Sequence, residues 1–298
     1  MCLASYAILT SIGLHAVRVD VFGAIGVKEY ISDDLPYYDN PPVTEVVFGL
    51  LFKPLQKFLV PHVGVLWERF RKDFPSCSEV APLLPVIERL DGSSGQEFEI
   101  EVPSMPRIWF STENGDWLVQ VQRDRFHFNW RKAAPDAKYP RYKVVVQEFA
   151  KHLETFRAFL QENSFGNVDP IQYELTYVNT ILAGEGWDGG LSSINTVLPD
   201  FDWRSGKKKL LAPEGINWKT AFRMEDGLGR LHVTVRNGKR PTDLRDLILV
   251  ELTARGMPVE KSANAMWKWF DNGRRWIVEG FTDLTNPSLH DQVWRRRQ

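Results

Sequence analysis

The stretch RFHFNWR, residues 125–131, carries an aromatic ring at every second position and a polar or charged side chain at each position between. Only an extended strand sorts such a pattern onto two clean faces, because its side chains alternate, whereas a helix would scatter the three rings around its axis. RLHVTVR (230–236) repeats the pattern with Leu231, Val233 and Val235 on one side, and WLVQVQ (117–122) turns Gln120 and Gln122 away from Trp117, Val119 and Val121. These segments require an antiparallel sheet with one face against a core and the other built from polar groups.

The order of elements repeats. A first strand over residues 44–52 precedes a helix whose stripe is Val63, Leu66, Trp67, Phe70 and Phe74. A loop with Pro82, Pro85 and DGSSG comes next, and then the strands RIWFSTE, WLVQVQ and RFHFNWR, turned at Asn114-Gly115 and near Asp124. A long helix aligns Tyr142, Val145, Val146, Phe149, Leu153, Phe156 and Leu160. The second half reads IQYELTYVNTIL, an irregular insertion at about 184–218, three further strands (TAFRME, RLHVTVR, LILVELTA) and a helix over about 261–285. Asn272-Gly273 predicts a kink in that helix.

Each half is thus a strand, a connection, a three-strand meander and a long helix. Setting TEVVFGLLF on YELTYVNTI places Glu45 on Glu174. The expected fold is α+β: a pseudo-duplicated antiparallel sheet with helices packed on one face. Residues 36–298 form its single domain, and 1–35 are an accessory or disordered extension. The N-terminal segment lacks a basic region, and His15, Arg18 and Asp20 interrupt it before it could span a membrane, so the expected location is cytoplasmic with no membrane partner.

Parity assigns the polar face. If Phe126, Phe128 and Trp130 enter the core, then Arg125, His127, Asn129 and Arg131 point the other way, joined by Gln122, His232 and Arg236 and by Glu45, Glu174 and Glu251. Arginines, histidines and amides outnumber lysines on this face, and arginine grips planar anions bidentately. Gln122, His127, Asn129, Arg131, His232 and Arg236 are therefore the expected ligand-binding residues, for a protein or small-molecule ligand not specified by the sequence. The plainer alternative is a solvated face of cross-strand charge pairs.

Other chemistries find less support. Nucleotide, serine-hydrolase and zinc-protease motifs are absent, and Gly227-Leu-Gly229 reads as a hairpin turn. His127 and His232 with Glu45 or Glu174 lack any diagnostic metal-ligand spacing, so no metal or cofactor is expected. Glu45 and Glu174 are the one carboxylate pair worth testing for acid–base catalysis. Cys2 and Cys77, the only cysteines, are too few for a disulfide framework, and Cys77 with His62 lacks a third group to orient a nucleophile. With 37 basic and 38 acidic residues the chain has no field to steer a polyanion. Lys207, Lys208 and Lys209, the C-terminal arginines 295–297 and nearby tryptophans leave nucleic acid as a secondary alternative.

Four separated motifs, NPPVTEVVFGLLF, VQVQRDRFHFNWR with YPRY, YELTYVNTI and RRWIVEGFTDLTNPSLHDQVW, resemble a sporadically distributed bacterial protein family of about this domain size. The resemblance runs from about residue 40 to the end. The family has no established activity, so it implies a grouping without a mechanism, and its patchy occurrence points to mobile or defence-linked genes. The combined expectation is a non-catalytic binding or adaptor protein.

Overall fold

A computed structural model describes residues 31–32, 34–84, 86–88, 105–203, 209–211, 213–257, 260 and 262–297. Among these, nine strands form one antiparallel sheet. The first half supplies β1 (Val43–Phe52), β2 (Ser76–Val80), β3 (Arg107–Ser111), β4 (Trp117–Gln122) and β5 (Arg125–Arg131), and the second β6 (Pro170–Leu182), β7 (Asn217–Arg223), β8 (Gly229–Lys239) and β9 (Asp246–Gly256). Their order is β2-β3-β4-β5-β1-β6-β9-β8-β7. The α+β duplication expected from the sequence is therefore present: each half is a meander returning beside its own first strand, and β1 and β6 meet at the centre.

The central register carries the same symmetry. Glu45 lies opposite Val178, and Glu174 lies opposite Gly49. The alignment that sets Glu45 on Glu174 also sets Gly49 on Val178, so the two pairs interchange about Val47 and Thr176, which face each other. Arg131 stands across from Glu45, and Arg255 stands across from Glu174.

The helices α1 (Val60–Phe70), α2 (Tyr142–Glu162) and α3 (Ala263–Leu284) cover one face, and α4 (Pro287–Gln292) follows. Phe48 sits at the junction, stacked on Phe149 of α2 at 4.8 Å and tilted against Phe270 of α3 at 5.1 Å. Phe126, Phe128 and Trp130 are buried on this same side, as the alternation requires. Apolar burial of this extent is the main term holding the sheet and helices together.

Three local expectations change. The α3 helix runs unbroken through Asn272-Gly273. Gly273 is there for packing, because a Cβ on it would approach Ala254 Cβ to 3.2 Å, so the helix lies close on β9. Residues 76–80, expected in a loop, form the edge strand β2 against β3. Residues 31, 32, 34 and 35 belong with the domain rather than outside it: Leu35 is buried, the Ser32 amide donates to Asp271 at 3.1 Å, and Arg274 donates to the Ser32 carbonyl at 2.8 Å. Residues 1–30 lie outside the described residues. Much of the 184–218 insertion packs inward, with Trp187, Val197 and Leu198 buried.

Candidate functional site

On the face away from the helices, the register lines up cross-strand rows. One row runs Gln122, Arg125, Leu51 and Gln172, and the next runs Gln120, His127, Gly49, Glu174, Arg255 and Arg230. A third holds Asn129, Val47, Thr176, Thr253 and His232, and a fourth Arg131, Glu45, Val178, Glu251 and Thr234. Every polar strand residue assigned here by parity is on this face, drawn from both halves.

The face is not the open, solvated surface that a plain two-sided sheet would have. Gln120, Gln122, Arg125, His127, Asn129 and Gln172 are all buried. Burying so many polar groups is tolerable only when they bond one another or a covering segment. Both happen.

The first network crosses four strands. Arg107 Nη1 and Trp109 Nε1 donate to Gln120 Oε1 at 3.1 and 3.0 Å, Gln120 Nε2 donates to Asn129 Oδ1 at 2.7 Å, and Asn129 Nδ2 donates to Glu45 Oε1 at 2.6 Å. Glu45 is thus held by an amide rather than by the guanidinium opposite. Arg131 turns instead to the Gly115 carbonyl at 2.7 Å, with its guanidinium 5.9 Å from the Trp109 ring centre. Desolvation is the largest influence on Glu45 and raises its pKa above the ordinary 4.5 despite the Asn129 bond. Its counterpart Glu174 accepts from Arg255 Nε and Gln172 Nε2, both at 2.8 Å. Burial works against the Glu174 charge too, but Arg255, His127 and Arg125 together overcome it and lower the pKa.

The second network binds a covering segment. Residues 81–84 and 86–88, expected as an ordinary loop, lie across the polar face as a strap. Gln122 clasps Leu83 by both backbone groups: the Leu83 amide donates to Gln122 Oε1 at 3.0 Å, and Gln122 Nε2 donates to the Leu83 carbonyl at 3.1 Å. Gln172 repeats the grip, receiving the Glu88 amide at 2.7 Å and donating to the Val86 carbonyl at 2.8 Å. Glu88 then reaches β8, where its carboxylate pairs with Arg230 and lies 2.6 Å from His232 Nε2. Desolvation opposes the Glu88 charge, but His232 and Arg230 outweigh it and hold the carboxyl below its ordinary range.

His127 occupies the floor between these networks. Its ring lies against Gly49, where an added Cβ would be 3.0 Å from the imidazole, so the glycine makes room for it. Burial pushes its pKa down to about 4, with Glu174 opposing and Arg125 and Arg107 adding to the shift. At neutral pH it is an uncharged ring beneath a charged rim.

The other expected residues separate. Gln122 serves the strap rather than an outside ligand. Arg236 is exposed and pairs loosely with Glu251 at 3.3 Å. Glu45 and Glu174 share the face but, with Glu174 opposite Gly49, stand four residues apart along β1, about 13 Å at the usual strand rise, beyond the roughly 5–10 Å of a catalytic carboxylate pair. Among the described residues no three His, Cys, Asp or Glu side chains gather as a metal-ligand set. His62 Nδ1 takes the Leu59 amide at 3.0 Å, while Cys77 is exposed on β2, and no hydrogen bond joins the two. Lys207 and Lys208 lie outside the described residues, and Lys209 is exposed. Trp187 is buried and so not presented for base stacking, while the half-buried Trp218 packs edge-on against Phe201 at 5.0 Å. No described helix is long and apolar enough to cross a membrane.

Gln172, Arg255, Arg107 and Glu88 were not anticipated. The first two were within reach of parity, since Gln172 is two positions before Glu174 and Arg255 four after Glu251. Glu88 has no strand pattern to reveal it. Compared with protein-family models, curated proteins and solved structures, the chain matches none.

Proposed function

We propose that the chain is a non-catalytic binding or adaptor protein that uses the polar sheet face for a protein or small-molecule ligand. The observation that carries this reading is the strap itself: the face engages a length of polypeptide through paired side-chain amides and a cationic corner. A merely solvated face needs no such convergence. Beyond the strap, Glu45, Arg131, Thr176, Val178 and Thr234 remain partly exposed, which leaves room for further contacts. The separation of Glu45 from Glu174 removes the geometric support for a carboxylate-pair enzyme, and the burial of Trp187 leaves the nucleic-acid reading with less support. An adaptor role accords with the mobile or defence-linked setting implied by the family resemblance.

The test compares ligands retained from extracts of the native host by the wild-type chain, by Arg131→Glu with Thr176→Arg, and by Lys209→Glu, each first shown to melt cooperatively. Retention lost in the double variant and kept in Lys209→Glu is expected. Retention that survives the double variant and disappears with Lys209→Glu would transfer binding to the basic insertion.

A further inference from the structure

Several details make the strap unlike a structural loop. Among the described residues, no backbone–backbone hydrogen bond ties 81–88 to the sheet beneath it. Among the described residues, its hydrogen bonds and ion pairs to the sheet come from the side chains of Gln122, Gln172, Arg230 and His232. Nor is it anchored by apolar burial throughout, since Leu84 is 62% and Val86 52% exposed. A segment held this way is bound by polar bonds of modest net strength and can be exchanged for another of the same chemistry.

The spacing of the grips defines that chemistry. Gln122 on β4 and Gln172 on β6 are three strand steps apart in the order β4-β5-β1-β6. That is about 14 Å at the usual interstrand distance, which about four extended residues span. Each glutamine presents a carbonyl and an NH2 to backbone N–H and C=O groups, so this part of the site reads an extended main chain and is indifferent to side chains. Selectivity enters at β8, where Arg230 and His232 take the Glu88 carboxylate. Two hollows elsewhere, of about 310 and 410 Å³, are lined by other residues, and neither includes these grips. A shallow track of this kind suits a peptide better than a compact small molecule.

We propose, resting on the reading of the polar face as a binding surface, that its ligand is an extended peptide segment of a partner protein with an acidic residue seated at Arg230 and His232. The strap is the resident occupant of that site and sets the threshold for binding. Because it is tethered, it competes at high effective concentration, and the site accepts a partner peptide only when the strap is displaced.

Fluorescence polarisation with a labelled synthetic peptide, APLLPVIE, tests this on the full-length chain. Glu88→Ala frees the strap from Arg230 and His232, weakening its hold on the site, and is expected to tighten peptide binding about tenfold or more over the wild type, the scale of a charge-assisted hydrogen bond. Adding Arg230→Ala to Glu88→Ala, or changing the peptide's final residue to glutamine, is expected to lose that gain. If Glu88→Ala does not fold, Glu88→Gln takes its place. The proposal is overturned if the strap-released, folded chain binds the peptide no better than the wild type, or if removing Arg230 leaves the affinity unchanged. Failure here together with retained host ligands that depend on Arg131 and Thr176 would reject the peptide assignment while leaving the binding face standing.

Discussion

The two halves of the sheet put a glutamate at the same position of the same strand, with an arginine opposite each, and treat the two in opposite ways. In the second half Arg255 bonds Glu174 and lowers its pKa. In the first half Arg131 leaves Glu45 for the Gly115 carbonyl, Asn129 takes its place, and burial raises the carboxyl's pKa. The position opposite the central strand differs likewise: His127 faces Gly49, whereas Glu251 faces Val178. Sequence position sets which groups share a row, but the neighbours two residues away decide which state each group adopts. The difference also divides labour, since among the described residues the second half supplies Gln172, Arg230 and His232 to the strap while the first supplies Gln122.

The largest expected effect exploits His127, which has no counterpart of its kind in the other half. Its folded pKa is depressed from 6.5 to about 4, so between these values the unfolded chain binds more protons and stability falls as pH falls. The full shift corresponds to about 3 kcal/mol by pH 4. His127→Gln should flatten the decline measured by urea denaturation between these pH values. Part of the slope will remain, because His152, packed among Phe70, Phe74 and Phe128 on the helix side, is also pushed down to about 4. A slope unchanged by His127→Gln would place the pH dependence elsewhere.

The ion pairs come next in size. Arg255→Ala strands a Glu174 whose side chain is 22% exposed, so the cost is about 2 kcal/mol, below the 3–5 kcal/mol of a fully buried broken pair. Arg131→Ala removes no salt bridge among the described residues and should cost less than about 1 kcal/mol. Equal losses in paired denaturation curves would mean that the two halves use their arginines alike.

The asymmetry also explains how much could be read from the letters. The alternation along each strand was enough to place the polar strand residues on one face, because it depends on a period of two and nothing else. The match of Glu45 with Glu174 marked equivalent positions of the two halves but not their pairing, which sets Glu45 on Val178 and Glu174 on Gly49. The strap was not legible. Its bonds run from side chains of distant strands to main-chain atoms of Leu83, Val86 and Glu88, and main-chain atoms leave no signature in sequence. Gly273 misled for a related reason: a helix glycine can mark a bend or a close approach, and only Ala254 beneath it distinguishes them. Arg131 shows the limit of register, since standing opposite Glu45 did not make it the partner.

The smallest expected effect is the most discriminating. Glu45→Gln keeps an oxygen for the Asn129 NH2 and removes a charge that burial already disfavours, so stability should change by less than about 0.5 kcal/mol. If Glu45 serves only to close the chain of bonds from Trp109 through Gln120 and Asn129, host ligand retention should also be unchanged. Function lost at unchanged stability would instead mean that this carboxyl acts on a ligand. The first half would then hold the chemistry and the second half the grip, a division that the matching position of Glu174, neutralised by Arg255, does not permit on its own side.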